Sequence, residues 1–392
     1  MTVMERVGVI GGGQLAGLMI PAAQKLGIHL MIQTPNATDA AVANLDSAAP
    51  VSVVLAPLND VSATAKLAQH CQVITFENEF VDLDALSGLV EQGVCFRPAL
   101  STLAPLLDKY EQRQYLQSLG LPVPTFAPFT VETRLEEVGL ALPVVVKARR
   151  HGYDGQGTFI IRHAEALSQF WHQVQLPEPE RSSAFLVEAF VPFERELAVM
   201  AARSVTGEVV TYPIVETYQP EQVCRWVIAP AELSGSLQRQ IDCMVTTLLT
   251  QLQAVGIFGI ELFLAATGQI WVNEIAPRTH NSGHLTLDAC VTSQFEQHLR
   301  AICGLPLGAT HLMPAGAVMV NLLGFETAVG DYSDQRHQLT QVSQAVVHWY
   351  GKPEARPGRK LGHVTVLLNN DDRSLAVNMA EQLEAIWYEQ RS

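Results

Sequence analysis

The stretch that decides the fold is residues 257–284, which read IFGIELFLAATGQIWVNEIAPRTHNSGH. Two apolar segments, rich in alternating or β-branched residues, flank a Thr-Gly pair, and this pattern is typical of a β-hairpin. A two-residue turn would centre on Thr267 and Gly268. It would place Glu261 directly opposite Glu274 on the neighbouring strand. Opposed side chains lie roughly 4.5–5.5 Å apart, so two carboxylates there repel each other unless a divalent cation or a shared proton intervenes.

The loop that follows the hairpin favours a cation over the other interpretations of this glutamate pair. The alternatives are two solvated glutamates at a hairpin rim, or a three-residue turn that puts them on opposite faces. However, residues 277–284 supply a guanidinium, two imidazoles, an amide and a hydroxyl within PRTHNSGH. Mg²⁺ takes one or two carboxylates together with phosphate oxygens. We therefore expect Mg²⁺ on Glu261 and Glu274, beside a loop that holds an anion.

Composition describes a globular protein. The 392 residues, 48% hydrophobic and 16% charged, suffice for about two to three domains. No run reaches the roughly 18 apolar residues of a membrane span, and the sequence shows no secretory signal. Six scattered cysteines without a CxxC pair indicate reduced thiols, so we expect a cytoplasmic protein. A net charge of -14 disfavours nucleic acid or an anionic membrane as partner.

The first hundred residues predict a Rossmann-like parallel sheet. The segment RVGVIGGGQLAGLM reads strand, glycine turn and helix, which fits the GxGxxG/A pattern of dinucleotide-binding domains. That function also requires an acidic residue at the end of the second strand, where this chain has Gln-Thr-Pro-Asn. An NAD-dependent dehydrogenase is therefore only an alternative. We expect the phosphate of another ligand at Gly12, Gly13 and Gln14.

A lysine and a glycine-rich loop predict a second phosphate site. Lys147 ends the short apolar strand PVVVK, and the sequence RRHGYDGQGT follows it. Backbone N–H groups around Gly152, Gly155 and Gly157 can close over phosphates, with Lys147 as the point charge. The loop lacks the GK[ST] ending of a Walker A motif, and a plain hairpin tip is the alternative. Glu77 follows the fourth strand, where such sheets bind ligands, although a helix-capping role is equally compatible with its position.

Together, the lysine-glycine loop, the paired glutamates and NEIAPRTHNSGH resemble the ATP-grasp superfamily, and within it the family of carboxyaminoimidazole ribonucleotide synthetases. The resemblance covers nearly the whole chain, from VGVIGGGQLAGLM through GYDGQG to RPGRKLGHVT. It implies a mixed α/β and α+β fold, in which an ATP-grasp fold follows a Rossmann-like parallel-sheet domain and precedes a small antiparallel C-terminal subdomain. The implied division is a Rossmann-like domain over residues 1–105, a small lid domain over 106–185 and a large domain over 186–392, with the C-terminal subdomain starting near 312.

The resemblance also implies roles for individual residues. The implied catalytic residues, which hold bicarbonate, are Arg278, His280, Asn281 and Lys360. The implied ATP-binding residues are Lys109, Lys147, Gly152, Tyr153, Asp154, Gly155, Gln156, Gly157, Thr158, Glu188, Ala189, Phe190, Val191, Glu196, Gln219, Asn273 and Glu274. Among them, the resemblance implies that residues 188–191 border adenine and that Glu196 binds the ribose hydroxyls. The implied residues for the ribonucleotide are Gly12, Gly13, Gln14, Leu15, Glu77, Lys352 and Arg359, and the implied metal ligands are Glu261 and Glu274. Lys109 and Gln219 depart from the family, which commonly has arginine and histidine there.

The implied reaction is the ATP-dependent carboxylation of aminoimidazole ribonucleotide with bicarbonate, in purine biosynthesis, by a homodimer. Phosphoryl transfer to bicarbonate would give carboxyphosphate, which releases CO2 to the exocyclic amine of the ribonucleotide. Two other ATP-grasp activities are alternatives, namely formate-dependent glycinamide ribonucleotide transformylation and biotin carboxylation. A nucleotide-binding regulatory module is the non-enzymatic alternative.

Overall fold

The structure is a computed structural model that describes residues 4–43, 45–46, 48–150, 152, 155–174 and 184–388. The strands in these residues are β1 (Arg6–Ile10), β2 (His29–Thr34), β3 (Val51–Leu55), β4 (Val73–Phe76), β5 (Phe126–Phe129), β6 (Val144–Ala148), β7 (Thr158–Ile161), β8 (Phe185–Ala189), β9 (Phe193–Arg203), β10 (Val209–Thr211), β11 (Val215–Tyr218), β12 (Trp226–Ala229), β13 (Gly256–Ala265), β14 (Ile270–Ala276), β15 (Gly316–Leu323), β16 (Ala345–Trp349) and β17 (Lys360–Leu368). The helices are α1 (Gln14–Leu26), α2 (Val61–His70), α3 (Leu83–Glu91), α4 (Leu100–Leu103), α5 (Lys109–Ser118), α6 (Ala164–Gln173), α7 (Gly235–Gln251), α8 (Thr286–Ala289), α9 (Gln294–Cys303), α10 (Ser333–Thr340) and α11 (Arg373–Tyr388).

The N-terminal sheet is parallel, as the sequence predicts. Its strand order is β3-β2-β1-β4, and every pairing within it is parallel. The apolar side of α1 packs with β1, β2 and helix α9 in one core. This packing brings the first turn of α1 and the carboxyl end of β4 to the same edge of the sheet, because parallel strands end there together.

Two antiparallel sheets follow. The smaller has the order β5-β8-β6-β7, and Lys147 lies near the end of its inner strand β6. The larger has nine strands, in the order β14-β13-β9-β11-β12-β15-β17-β16 with β10 added to β9. The sequence patterns of residues 317–323, 346–350 and 363–367 predict strands of a small antiparallel unit. The structure has antiparallel strands there, namely β15, β16 and β17, and the β12–β15 pairing joins them to the large sheet. In the part of the chain that the structure describes, no helix is long and apolar enough to cross a membrane.

The hairpin β13–β14 differs from the predicted two-residue turn. Ala265 donates its N–H to Gln269 O at 2.9 Å, so three residues form the loop and Gly268 takes a φ of 83°. Such a loop alone would put the two glutamates on opposite faces of the hairpin. The register then shifts between Glu261 and Leu262, where one extra residue on β14 forms a bulge. The bulge restores the pairing, and Glu261 faces Glu274 as predicted.

Candidate functional site

Three glutamates lie on one face of the large sheet. Glu261 of β13 pairs with Glu274 on one side and with Ala198 of β9 on the other. Glu196 lies two residues from Ala198 along β9, so it shares the face of Glu261, because side chains alternate along a strand. Burial, reinforced by Glu274, raises the pKa of Glu261 to about 7. Burial, reinforced by Glu261, raises the pKa of Glu196 to about 8. Crowded carboxyls that bind protons this strongly are oxygen ligands suited to a cation.

The predicted residue Gln219 connects two of these glutamates. Its side chain hydrogen-bonds Glu261, and its backbone N–H donates to Glu196. Gln219 also donates to the Thr217 hydroxyl at 3.2 Å. The structure thus brings Glu196, the predicted ribose-binding acid, close to Glu261, the predicted metal ligand, and Gln219 hydrogen-bonds both.

Two predicted lysines lie beside the glutamate pair. Lys109 Nζ lies 2.6 Å from Glu274 Oε1. Partial burial would raise the pKa of Glu274, but the Lys109 ammonium outweighs it and lowers that pKa. Lys147 Nζ donates to Asn273 Oδ1 at 3.1 Å, and Asn273 Nδ2 donates to Glu261 Oε2 at 3.2 Å. Asn273 is the bulged residue of β14, so the bulge places an amide between a cation and a carboxylate.

A buried ion-pair group holds Lys147 in place. Lys147 Nζ lies 2.8 Å from Glu188 Oε2, and Arg113 Nε donates to the other oxygen of Glu188. Burial would raise the pKa of Glu188, but Arg113 and Lys147 outweigh it and hold the pKa at about 2. Glu188 therefore supports Lys147, rather than only bordering a base as the resemblance implies. Arg113, which the sequence analysis does not assign to the site, also donates to Asn273 O at 2.6 Å.

The glycine-rich loop after β6 packs closely on that strand. A Cβ on Gly157, whose φ is 78°, would lie 2.8 Å from Ala148 Cβ, and a Cβ on Gly152 would lie 2.8 Å from Gln156 O. Thr158 pairs with Lys147 across β6 and β7. The predicted residues Tyr153 and Asp154 lie outside the described residues. Gly155 approaches Gln222, since its Cβ would lie 2.7 Å from that side chain.

The predicted adenine segment follows β8. Ala189 is the last residue of that strand and donates its N–H to Thr125 O at 2.8 Å. The Arg162 guanidinium lies 5.6 Å from the ring centre of Phe190, and Val191 is buried. The segment therefore continues from the strand that carries Glu188. Its contact with a base stays a prediction.

The predicted anion loop, residues 277–284, contacts the glutamates through His280. It contacts the N-terminal domain through Arg278. His280 Nε2 lies 3.7 Å from Glu261 Oε1. Burial, with Arg278 nearby, lowers the pKa of His280 to about 4, so this imidazole is neutral at physiological pH. Arg278 donates through Nε and Nη2 to both oxygens of Glu79, with Nη2 2.9 Å from Oε1. Glu79, which follows the fourth strand with Glu77 but is not assigned to the site from the sequence, therefore orients the guanidinium.

Asn281 holds the same loop against strand β15. Asn281 Nδ2 donates to Asn321 Oδ1 at 2.9 Å, and Asn321 Nδ2 donates back to Asn281 Oδ1 at 2.7 Å. Both side chains are buried. The amide of Asn281 is thus engaged with the C-terminal strands, which favours a positioning role for this residue over direct contact with bicarbonate.

The residues predicted for the ribonucleotide gather at the start of α1. Leu15 donates its N–H to Glu77 Oε1 at 3.3 Å, so a carboxylate of the protein lies at the helix N-terminus where the sequence suggests a phosphate. A Cβ on Gly13 would lie 2.4 Å from Glu77 Oε1. Lys352 Nζ donates to Gln14 Oε1 at 2.7 Å and to Lys360 O at 2.7 Å. Burial raises the pKa of Glu77 against the opposing effects of Arg278 and Lys352.

Two residues of the predicted ribonucleotide group make contacts of another kind. Gly12 packs on Thr34, because a Cβ there would lie 2.4 Å from its hydroxyl oxygen. Arg359 donates to Glu354 O at 2.7 Å, within its own basic turn. Their contact with a substrate stays a prediction, whereas Gln14, Leu15, Glu77, Lys352 and Lys360 do come together.

Comparisons with known proteins match three consecutive parts of the chain. Family models match residues 4–104 (ribonucleotide synthetase preATP-grasp domain), 114–295 (ATP-grasp domain) and 317–376 (phosphoribosylaminoimidazole carboxylase C-terminal domain). The N5-carboxyaminoimidazole ribonucleotide synthase of Synechococcus elongatus is 52% identical over 390 residues, which is 98% of this chain and 96% of the relative.

Solved structures are similar over the same length. An N5-carboxyaminoimidazole ribonucleotide synthetase in complex with ADP superposes with a TM-score of 0.87 at 32% identity, covering 100% of both chains. The N5-carboxyaminoimidazole synthase of Aspergillus clavatus, in complex with ADP and 5-aminoimidazole ribonucleotide, gives a TM-score of 0.85 at 27% identity, covering 98% of both chains.

Proposed function

The chain belongs to the family of N5-carboxyaminoimidazole ribonucleotide synthases, and on that premise we propose that it uses ATP to carboxylate the exocyclic amine of aminoimidazole ribonucleotide in purine biosynthesis. The protein is an ADP-forming carbon–nitrogen ligase of the ATP-grasp superfamily. One observation carries the site assignment, namely the facing glutamates Glu261 and Glu274 with Lys147 and Lys109 on one side and the Arg278–His280 loop on the other.

The donor set fits ATP with Mg²⁺. Glu261 and Glu274 are carboxylates of the kind that Mg²⁺ prefers, and burial, reinforced by the charge of Glu274, raises the pKa of Glu261. Bound there, Mg²⁺ would neutralise charge on the phosphate oxygens during phosphoryl transfer. Lys147 supplies a point charge for the phosphates, held by Glu188. Gly152, Gly155 and Gly157 carry no Cβ, so their backbone can approach the phosphates closely.

The second half of the reaction is assigned to the anion loop. We propose that Arg278 and the neutral His280 hold bicarbonate in line with the γ-phosphate, with Lys360 adding positive charge. A bicarbonate oxygen bonds to the γ-phosphorus as the bond to the ADP oxygen breaks, which gives carboxyphosphate. Carboxyphosphate then loses inorganic phosphate, and its carbon bonds to the exocyclic nitrogen of the ribonucleotide, which gives up a proton. The loop must exclude water, because carboxyphosphate hydrolyses.

The ribonucleotide would lie between Arg278 and the start of α1. Gln14, Glu77 and Lys352 meet there, and Glu79 links Arg278 to the same edge of the N-terminal sheet. This arrangement supports a position of the acceptor amine beside the bicarbonate loop. We propose Gly12, Gly13 and Leu15 for the same ligand.

The finer organisation is also part of the proposal. We propose the domain division at about residues 105 and 185, with a C-terminal subdomain from about 312, and a homodimer in the cytoplasm. Light scattering coupled to size-exclusion chromatography measures the assembly state directly. A monomer at working concentration would contradict the dimer alone and leave the enzymatic assignment intact.

Omission of each substrate in turn tests the function. The purified protein should release inorganic phosphate only when ATP, bicarbonate and aminoimidazole ribonucleotide are all present, and mass spectrometry should detect the N-carboxylated product. Phosphate release that depends on formate with glycinamide ribonucleotide, or on biotin, would assign another ATP-grasp activity. ATP binding without phosphate release under any of these acceptors would favour a regulatory module.

A further inference from the structure

A buried glutamine at the start of α9 holds the backbone of the anion loop. Gln294 Oε1 accepts from the His280 N–H at 2.9 Å, and Gln294 Nε2 donates to His280 O at 2.8 Å. His280 is extended, with a φ of -128° and a ψ of 153°, so its N–H and C=O point to the same side. One carboxamide therefore engages both groups, as a neighbouring strand would. These two hydrogen bonds form the Gln294 clamp.

The contacts of Gln294 allow a single orientation of its side chain. A backbone N–H only donates and a carbonyl oxygen only accepts, so the partners identify the oxygen and the nitrogen of the carboxamide. The second proton of the amide is donated to His284 Nδ1, which lies 3.0 Å from Gln294 Nε2. The residue is 0% exposed, and both of its side-chain polar atoms are engaged. A buried polar group with its partners in place is held rigidly.

The helix that carries Gln294 is itself fixed in the protein. Phe295 and Leu299 of α9 lie in one buried core with Ala16 and Met19 of α1. The first turn of α1 carries residues that are predicted for the ribonucleotide. Helix α9 thus gives the anion loop and the start of α1 a common support.

Residues around His280 leave room for the clamp and confine the imidazole. A Cβ on Gly283 would lie 2.7 Å from Gln294 Oε1, so an alanine there would displace the carboxamide. Thr286 Oγ1 accepts from the Gln294 N–H at 2.9 Å and donates to Gly283 O at 2.6 Å. On the other side, a Cβ on Gly259 of β13 would lie 2.6 Å from His280 Cβ. His280 is therefore held between α9 and the strand that carries Glu261.

We propose that Gln294 is the positioning residue that holds His280 in place for bicarbonate, an inference that rests on the proposed function. His280 Nε2 lies 3.7 Å from Glu261 Oε1, so a shift of the His280 backbone moves the imidazole relative to the predicted metal ligand. A displacement of about 1 Å in a positioning group costs roughly a hundredfold in rate. Because Gln294 is fully buried, it acts through His280 and makes no contact with bicarbonate itself.

The same helix supplies a matched control. Gln297 of α9 is also 0% exposed. Its Nε2 donates to Gly308 O at 2.8 Å, and its Oε1 accepts from the Gly308 N–H at 2.8 Å. Gly308 follows α9 in the chain and is not part of the anion loop. Gln294→Met and Gln297→Met therefore each remove two hydrogen bonds of the same kind from one helix, and only the first releases the anion loop.

Hydrogen–deuterium exchange tests the clamp without any substrate. Mass spectrometry follows exchange in the full-length protein for peptides that span residues 277–284 and 304–312. Gln294→Met should speed exchange in the first peptide, because the His280 N–H loses its acceptor, and should leave the second unchanged. Gln297→Met should do the reverse, through the Gly308 N–H. Unchanged exchange of residues 277–284 in Gln294→Met would overturn the proposal.

Initial rates test the consequence for the reaction. Phosphate release is measured against bicarbonate and against ATP, and circular dichroism confirms folding. Gln294→Met should lower kcat/KM for bicarbonate between about tenfold and a hundredfold while KM for ATP changes less than about threefold. Gln294→Glu, a gentler change, keeps the side-chain length and the acceptor for the His280 N–H but loses the donor. It should lower the same kcat/KM at least about threefold, whereas Gln297→Met should retain the rates of the unmodified protein.

Two kinetic results would overturn the proposal. Unchanged bicarbonate kinetics in folded Gln294→Met would show that the clamp does not position the anion site. Equal losses in Gln294→Met and Gln297→Met would assign the effect to the stability of α9. Absence of bicarbonate-dependent phosphate release by the unmodified protein would instead contradict the proposed function, and the exchange contrast would still decide whether Gln294 holds the loop.

Discussion

Glu261 and Glu274 face each other because two departures from an ideal hairpin cancel. The turn is one residue longer than a two-residue turn, and the bulge at Asn273 adds one residue to the opposite strand. The bulged residue is also useful in itself, since its amide bridges Lys147 and Glu261. Bulges re-aim side chains at functional sites, and here the bulge restores the register and supplies a polar contact.

Divalent-metal affinity should rise with pH across the neutral range. Glu261 and Glu196 have pKa values of about 7 and about 8, so both are largely protonated at pH 6 and largely ionised above pH 8.5. Because metal must displace these protons, affinity should rise by up to about tenfold per pH unit for each proton lost. Mn²⁺ titrations with a non-hydrolysable ATP analogue measure this dependence. Glu196→Gln should flatten it, and a pH-independent affinity in the unmodified protein would contradict the raised pKa values.

A methyl group at Gly157 should impair ATP binding. The substitution Gly157→Ala strains a φ of 78° and pushes a Cβ into Ala148, next to Lys147. We expect KM for ATP to rise between about tenfold and a hundredfold, because small displacements of phosphate-positioning groups are costly. Gly120→Ala is the matched control, since its φ is 70° and its Cβ would meet nothing within 4 Å. If both variants behave alike, backbone strain rather than loop position explains the loss.

Removal of the Glu79 charge should affect bicarbonate more than ATP. In Glu79→Gln the guanidinium of Arg278 keeps its charge but loses the carboxylate that orients it. We expect KM for bicarbonate to rise at least tenfold while KM for ATP changes less than threefold, as initial rates against each substrate will reveal. Arg278→Lys, which retains charge without the planar fork, should show the same pattern. Equal changes in both KM values would instead indicate that the substitution disturbs the geometry of the whole site.

The Asn281–Asn321 amide pair should contribute measurably to stability. Asn321→Ala leaves the buried amide of Asn281 without its partner, at a cost of about 1–3 kcal/mol in the free energy of unfolding. Urea denaturation measures this quantity. The double variant Asn281→Ala/Asn321→Ala should lose less than the sum of the two single variants, because the pair acts as a unit. Strict additivity would mean that the two amides stabilise the fold independently.

The sequence predicts the parts of this site whose chemistry is concentrated in short motifs. The glutamate pair and Lys147 stand out because charged groups interrupt apolar strands. The Arg278–His280 segment stands out because several charged and polar groups occupy the short loop after a strand. Local patterning also predicts the parallel N-terminal sheet and the antiparallel C-terminal strands, because strand period and turn residues are local properties. The family resemblance supplies the nucleotide and ribonucleotide assignments.

The residues that the sequence alone does not identify contact partners that are far away along the chain. Arg113 resembles any charged residue on a helix until the fold brings it to Glu188, 75 positions away. Asn321 lies within an apolar strand and gains its role only from Asn281, 40 positions earlier. The bulge at Asn273 has no local signal, because a polar residue in a strand is compatible with several registers. Tertiary contacts determine the roles of Arg113 and Asn321 and the position of the bulge.

The central claim is that the facing glutamates bind the metal–ATP complex for phosphoryl transfer. The decisive measurement is phosphate release, dependent on aminoimidazole ribonucleotide, by Glu261→Gln and Glu274→Gln, with the exposed Glu326→Gln as control and circular dichroism to confirm folding. Loss of a preorganised charge of this kind costs about 10²–10³ in kcat, and the two site variants should each fall by that factor while the control retains full activity. Near-normal turnover by either folded site variant would contradict the account.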